Sequence, residues 1–235
     1  TPEGHLSMGK RLDTGEWVKN HLFVDSGFTS GIFAGLYART GEQRWQTAAA
    51  TFENWYIDKL FDRDRNYFWW NWYNFRGAAK AMFARGQAWA LDGVISTFQA
   101  TGDDRYRDVM RRTAETLCAR QSDAGGWYYH LDKPAVGLDP KGTPIIAYHL
   151  ARIYRFVPDR RFLQAAQKAH AWCTSMIRRD IDDARECGGI TSWCEEGTIC
   201  GARGVEAIFT YAQSYYMLLG KLLSEIEARD ASHVS

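Results

Sequence analysis

The chain reads TGEQRW at residues 40–45, and this short stretch decides the fold because it recurs. Residues 101–106 read TGDDRY, and residues 157–162 read VPDRRF, a weaker copy. The copies lie roughly 60 residues apart. In each copy a glycine or proline closes one helix, an acidic residue begins the next, and an aromatic residue follows three positions later. The repeat predicts helical hairpins, each closed by a tight turn.

The helices on the two sides of each turn differ in composition. Around Tyr106 the apolar residues recur with helical spacing between charged ones, whereas the helices before the turns are richer in small and apolar residues. This pattern is typical of less polar inner helices packed inside more polar outer ones. We predict a single all-α domain over residues 1–235, with hairpin units at about 26–60, 85–120 and 140–178 and a final helix at about 205–228.

The predicted architecture is a helical-hairpin toroid of the (α/α)6-barrel type. Six hairpins need about twelve helices, and this sequence supplies about seven or eight, so the toroid is predicted to be incomplete. The chain begins at Thr1, with neither an initiator methionine nor a signal peptide. We therefore expect that an N-terminal part is lacking.

Aromatic residues gather between the hairpins. The chain has 10 Trp, 12 Tyr and 12 Phe, and they concentrate in glycine-rich loops at residues 66–70, 125–130 and 188–193. Each loop follows the second helix of a hairpin, so all three are expected at one end of the toroid. Aromatic loops at one end of a helical scaffold predict a ligand cleft there.

Composition argues against several classes of function. A net charge of +1 gives no general attraction for nucleic acid or for a membrane surface, and no apolar run approaches the length of a membrane span. Of the five cysteines, Cys187, Cys194 and Cys200 lack the paired spacing of a zinc ribbon, so no metal is expected. Free thiols fit a cytoplasmic protein, or a periplasmic or secreted one if a signal peptide has been removed.

Three motifs carry a resemblance to a known family. Residues 85–89 read RGQAW, residues 24–28 read VDSGF, and residues 139–147 read DPKGTPIIA at the start of a predicted inner helix. In order and spacing they resemble the unsaturated glucuronyl hydrolases, glycoside hydrolase family 88. The similarity to the unsaturated rhamnogalacturonyl hydrolases of family 105 is more distant. The resemblance covers most of residues 22–160.

The resemblance implies a six-hairpin barrel with its active site among the aromatic loops. It implies hydration of the C4=C5 double bond of the unsaturated uronic acid that polysaccharide lyases leave, without a metal or an organic cofactor. The family uses two aspartates, of which one matches Asp25. The other, the proton donor, is expected shortly before Arg85, but residues 77–84 contain no carboxylate. Four acids could substitute for it: Asp64, Asp92, Asp139 and Glu196.

The candidate site joins Asp25, as the catalytic residue, to a set of substrate-binding side chains. That set is Trp70, Arg85, Gln87, Trp89, Trp127, His130, Lys141 and Arg203. Several have a structural alternative: Asp25 could cap a helix, Trp89 could belong to the core, and His130 could be a surface or core residue. Lys141 and Arg203 could hold a uronate carboxylate or remain solvated surface charges.

Three functions remain open from the sequence. The first is a glycoside hydrolase that removes unsaturated uronic acids from lyase-generated oligosaccharides, or a relative that acts on another acidic or neutral oligosaccharide. The second is a catalytically inactive relative that binds the sugar. The third is a sugar epimerase or lyase on the same toroid, with His130, Tyr128 or Tyr129 as bases. Apart from the sugar, the expected partner is another copy of the chain or a second chain that completes the toroid.

Overall fold

The computed structural model of the chain describes residues 9–10, 12–15, 17–18, 21–73, 77–179, 182–183, 187–193 and 206–232. By their internal contacts the residues fall into two compact units, one ending at Leu117 and the other beginning at Cys118. The single domain expected from the sequence stays a prediction.

Seven α-helices lie in the described residues, and the first six are joined in three consecutive helix–turn–helix pairs. They are α1 (Thr29–Thr40), α2 (Gln43–Leu60), α3 (Ala84–Thr101), α4 (Asp104–Ala119), α5 (Thr143–Tyr154), α6 (Arg160–Ser175) and α7 (Thr210–Ser232). Among these helices, none is long and apolar enough to cross a membrane.

The turns lie where the sequence repeat places them. Gly41 and Gly102 follow α1 and α3 with φ of 69° and 70°, the left-handed conformation that glycine adopts without strain. At the start of α4 the Asp103 carboxylate accepts the backbone N–H of Arg105 at 2.9 Å. Asp159 accepts the backbone N–H of Arg161 at the same distance at the start of α6. Each acid satisfies a helix N–H that has no partner within the helix.

In the first unit α3 occupies the centre. It packs against α1, α2 and a short 3-10 turn, Val24–Phe28, that precedes α1. Helix α3 is buried along most of its length, whereas α1 buries only three residues and leaves Ile32 56% exposed. Helix α2 contributes a buried stripe with helical spacing, made by Ala49, Phe52, Glu53, Tyr56, Ile57 and Leu60.

In the second unit α5 is the most deeply buried helix. It packs against α6 and α7, and nine of its residues are buried. Helix α6 faces it with a stripe of apolar residues, namely Phe162, Leu163, Ala165, Ala166, Ala169 and Cys173. Helix α7 presents Leu219, Leu222, Leu223 and Ile226 to the interior and leaves Met217 71% exposed.

Short strands, which the sequence reading did not predict, order the loops between the helices. In the first unit they are β1 (Gly9–Lys10), β2 (Trp17–Val18), β3 (His21–Phe23), β4 (Phe61–Asp62), β5 (Tyr67–Phe68), β6 (Asn71–Tyr73) and β7 (Gly77–Ala79). The second unit has β8 (Thr191–Trp193) and β9 (Glu206–Ile208). All pairings are antiparallel, and β3, β6 and β7 form a three-stranded sheet with β6 in the middle.

Candidate functional site

Asp25 lies in the 3-10 turn Val24–Phe28, which we call the Asp25 turn. The residue before it, Val24, is buried and fixed by both of its backbone polar groups. Its N–H donates to the carbonyl of Trp70 at 2.8 Å, and its carbonyl accepts the Tyr56 hydroxyl at 2.6 Å. Asp25 itself is exposed. The helix N-cap positions nearby are held by Phe23 and Phe28, so Asp25 is not the helix cap that its position in the sequence suggested.

Glycines let the Asp25 turn approach α3 closely. A Cβ at Gly27 would lie 2.7 Å from the Cα of Ala90, and one at Gly86 would lie 2.5 Å from a methyl group of Val24. Such distances are shorter than real Cβ contacts, so only glycine fits at either position. Gly27 belongs to the VDSGF motif and Gly86 to RGQAW. The two motifs therefore meet in space and fix the backbone around Asp25.

Aromatic rings lie beside this turn. Trp70, which accepts the hydrogen bond from Val24, is 39% exposed, and its ring centroid lies 5.1 Å from that of Phe83. Phe28, at the end of the turn, is 43% exposed and meets Trp89 edge to face at 6.1 Å. Such partly exposed rings leave apolar surface available to a ligand.

The two polar residues of RGQAW have different environments. Arg85 is half-buried in the first turn of α3. Gln87 is fully buried, and its side chain bonds to the backbone N–H and carbonyl of Phe68 at 2.8 and 2.7 Å. These bonds favour a structural role for Gln87, because its amide holds strand β5 against α3; the predicted contact with substrate stays a prediction.

The first unit also contains a buried acid that the sequence reading missed. Glu53, on α2, is fully buried, and its Oε2 lies 2.5 Å from the Ser30 hydroxyl. Burial first, and then the nearby Asp92, raise the pKa of Glu53 to about 8 against the lowering effect of the Ser30 bond. Helical periodicity could have found it, because Glu53 falls in the apolar stripe of α2.

In the second unit the predicted residues gather before α5, in the segment 138–142 that we call the Asp139 turn. Asp139 is fully buried; its carboxylate accepts the backbone N–H of Lys141 at 3.0 Å, and its own N–H donates to the carbonyl of Trp127 at 2.7 Å. The N–H of Trp127 donates to the hydroxyl of Thr143 at 3.1 Å. Asp139 thus stabilises its own turn, which weakens its case as a substitute proton donor.

Two residues of this unit that were predicted to bind substrate, Trp127 and Lys141, are buried. Trp127 is 0% exposed and belongs to the core, and Gly126 beside it packs against the ring of Trp172. Lys141 is 3% exposed, and its ammonium lies 5.0 Å from the Phe209 ring centroid and 5.4 Å from that of Tyr129. These aromatic faces, rather than solvent, surround the charge.

The remaining candidates have varied positions. His130 is half-buried and meets Tyr129 edge to face at 5.1 Å. Asp64 is exposed in the loop between β4 and β5, whereas Asp92 is half-buried on α3. Glu196 and Arg203 lie outside the described residues. Within the part of the chain that is described, no three His, Cys, Asp or Glu side chains come together in a way that could hold a metal ion.

A comparison with protein-family models identifies the family. The model described as Glycosyl Hydrolase Family 88 matches residues 15–196, which is most of the chain and includes both VDSGF and RGQAW. The chain belongs to glycosyl hydrolase family 88. None of the curated proteins compared with it matches its sequence.

Solved structures of family 88 and family 105 proteins share its fold. A possible family 105 member from Salmonella enterica serovar Paratyphi A is 16% identical with a TM-score of 0.74. The unsaturated glucuronyl hydrolase of Bacillus sp. GL1, described as responsible for glycosaminoglycan degradation, is 18% identical with a TM-score of 0.73. A structure of UGL with dGlcA-Glc-Rha-Glc is 19% identical, also with a TM-score of 0.73.

Each of these alignments covers 94% of this chain and 62% of the solved chain. The likeness confirms the predicted fold class, the all-α helical-hairpin fold of families 88 and 105. This chain therefore spans about three-fifths of the length of the solved structures that it matches.

Proposed function

We propose that this chain is an active hydrolase that removes unsaturated uronic acids from lyase-generated acidic oligosaccharides. The observation that carries the proposal is Asp25, an exposed carboxylate on a turn whose backbone is fixed by Tyr56, Trp70 and α3. Membership of family 88 supports it, as do the relatives named as unsaturated glucuronyl hydrolases. A fixed carboxylate beside exposed aromatic rings suits acid–base chemistry on a sugar.

The chemistry needs one carboxyl group acting twice. The C4=C5 bond of an unsaturated uronic acid is part of a vinyl ether, so a proton adds to C4 and water attacks C5. A carboxyl that has given its proton to C4 has become a base, and it then takes a proton from the attacking water. The resulting hemiketal at C5 opens the ring and releases the rest of the saccharide. Asp25 is protonated at the start of the reaction and again at its end, so residues 77–84 need not supply a second carboxylate.

Nearby side chains can hold the sugar for this reaction. Trp70 and Phe28 offer partly exposed ring surface next to the Asp25 turn. Arg85 supplies a guanidinium in the motif that packs against this turn, and a guanidinium pairs well with a uronate carboxylate. We therefore assign substrate contact to Trp70, Phe28 and Arg85 and leave Gln87 out of the binding set.

The test is turnover of lyase-generated unsaturated uronyl disaccharides, followed as loss of the double-bond absorbance. We expect turnover by the wild-type chain and none above background by Asp25→Asn. Asp58→Asn is the matched control, since Asp58 is an exposed acid of α2 that pairs with Lys59 on the surface. Turnover that persists in Asp25→Asn, or is absent from a folded wild-type chain, would contradict the proposal.

One alternative keeps a specific observation in its favour. A sugar-binding protein without turnover would fit the lack of a carboxylate in residues 77–84. Calorimetric titration of the same disaccharides separates the two: binding by a folded wild-type chain that shows no turnover favours the binding protein. An epimerase or lyase that uses Tyr129 as its base fits less well, because Tyr129 is 4% exposed.

A further inference from the structure

Helix α2 reaches the Asp25 turn through two buried side chains that are one helical turn apart. Tyr56 donates its hydroxyl hydrogen to the carbonyl of Val24 at 2.6 Å. Glu53 reaches the other end of the turn through Ser30, whose hydroxyl lies 2.5 Å from Glu53 Oε2 and 3.2 Å from the carbonyl of Gly27. The backbone on both sides of Asp25 is thus held from α2.

Helix α3 encloses this cluster. A Cβ at Gly93 would lie 2.5 Å from the Ser30 hydroxyl and 2.7 Å from Glu53 Oε2, so α3 packs directly on the pair. Glu53 and Ser30 are both 0% exposed. Among the described residues, Glu53 Oε1 is buried and has no hydrogen-bond partner. An ionised carboxylate is costly in such a place, whereas a protonated one is tolerated.

The hydrogen bonds of Ser30 depend on the proton of Glu53. A serine hydroxyl has one hydrogen and can donate it fully to only one acceptor. If Glu53 is protonated, its O–H donates to the Ser30 oxygen, and the serine hydrogen is left for the carbonyl of Gly27. If Glu53 is ionised, the carboxylate takes the serine hydrogen, and the carbonyl of Gly27 loses that bond.

The groups that face Glu53 favour the protonated form. Asp92 approaches it from α3. Burial first, and then the charge of Glu53, raise the pKa of Tyr56 on the same helix and of Tyr106 on α4. Asp25 acts on the same Tyr56, so Glu53 and Asp25 share a neighbour. Ionisation of Glu53 would add a negative charge near Asp92, in a place that burial already disfavours.

We propose that Glu53, in its protonated form and acting through Ser30, positions the turn that presents Asp25. Loss of this proton releases the carbonyl of Gly27 and loosens the turn. Glu53 is a positioning residue, since it is fully buried and reaches the turn through Ser30. The consequence for catalysis rests on the function proposed above, whereas the consequence for the turn does not.

The experiment measures amide hydrogen exchange in residues 24–29, corrected for intrinsic rates, from about pH 6 to about pH 9. In the wild-type chain we expect protection of this segment to fall at least about tenfold across the range. Glu53→Gln keeps a neutral side chain whose amide can donate to Ser30, so its protection should not change with pH. Ser30→Ala should show the low alkaline level of protection at every pH.

Two results would overturn the inference. One is wild-type protection that does not change with pH, or that changes equally in Glu53→Gln. The other is a loss in residues 24–29 that is no larger than the loss in α4, because global destabilisation alone would then account for it. Turnover is measured on the same samples, and kcat of the wild type should fall more steeply on the alkaline side than that of Glu53→Gln, in which only the ionisation of Asp25 remains. A chain that shows the exchange pattern but no turnover would contradict the proposed function and support the positioning role.

Discussion

The Asp25 turn and the Asp139 turn, one in each unit, are fastened in the same way to an aromatic loop. In the first the N–H of Val24 donates to the carbonyl of Trp70, and in the second the N–H of Asp139 donates to the carbonyl of Trp127. In the first turn the residue that donates this hydrogen bond, Val24, lies one position before the aspartate. In the second turn the aspartate itself is the donor. The two aspartates have opposite environments, since Asp25 is exposed and Asp139 is fully buried.

The comparison shows how the same residue type is exposed in one turn and stabilises the other. Asp139 accepts the backbone N–H of Lys141, so its carboxylate maintains the turn. The backbone around Asp25 is held instead by Tyr56, by Trp70 and by contact with α3. The tryptophans follow the same division, since Trp70 is 39% exposed and Trp127 is 0% exposed.

The sharpest test of this contrast is the matched pair Asp25→Ala and Asp139→Ala. Asp25→Ala should lower kcat by about 10³-fold, as expected for loss of a general acid and base, and should leave the melting temperature almost unchanged. Asp139→Ala should cost about 2 kcal/mol of unfolding free energy, because a buried backbone N–H loses its acceptor. Disaccharide turnover and urea unfolding check the two effects. The opposite assignment of effects would break the comparison.

Backbone contact supplies the next largest effect. Gly27→Ala should destabilise the chain by about 3 kcal/mol, because the new Cβ would lie 2.7 Å from the backbone of Ala90. Gly35→Ala is the control: a Cβ there meets nothing within 4 Å, and α1 should gain about 0.5–1 kcal/mol. Urea unfolding of both variants measures the difference. Equal effects would show that the close contact of the Asp25 turn with α3 contributes little.

Much of the fold could be predicted from the sequence because its signals are local. The glycines at residues 41 and 102 close helices, and helical spacing locates the apolar stripes. The motif glycines pointed to the right region, although their reason, the contact of the Asp25 turn with α3, needed the structure. The short strands have no comparable local signal, because their pairing joins segments that are distant in the sequence, as β3 and β6 are.

The site was predicted less well because motif membership does not say which way a side chain faces. Gln87 belongs to RGQAW and Trp127 to the aromatic loop at residues 125–130, yet both are fully buried, whereas Trp70 is exposed. Glu53 belongs to no motif, although its place in the apolar stripe of α2 set it apart. A charged residue at a position that periodicity assigns to the core is a signal of this kind.

The ionisation of Glu53, which lies beneath the Asp25 turn, should make the unfolding free energy depend on pH. In the folded chain the pKa of Glu53 is about 8, and in the unfolded chain it returns to about 4.5. Between those values the folded state binds more protons, so the unfolding free energy falls as pH rises, by up to about 1.4 kcal/mol per pH unit. The contribution is fully present below pH 4.5 and is lost above pH 8.

Glu53→Gln should remove this slope. Urea unfolding at about pH 5 and about pH 8 compares the variant with the wild type. Glu225→Gln, which changes an exposed acid of α7, should keep the wild-type slope. A wild-type chain whose stability does not fall over this range would show that Glu53 is ionised in the folded state. The positioning role proposed for its proton would then be untenable.

The smallest effect is expected at Trp70. Its carbonyl fastens the Asp25 turn through the backbone and survives truncation, while its exposed ring is available to the sugar. Trp70→Ala should therefore raise KM roughly fivefold and change kcat little, the pattern of lost ground-state binding. Phe28→Ala is the matched variant, because Phe28 is 43% exposed at the other end of the turn. A fall in kcat with unchanged KM would mean that the Trp70 ring positions Asp25 rather than the sugar. Trp70 would then hold the Asp25 turn, as Tyr56 does.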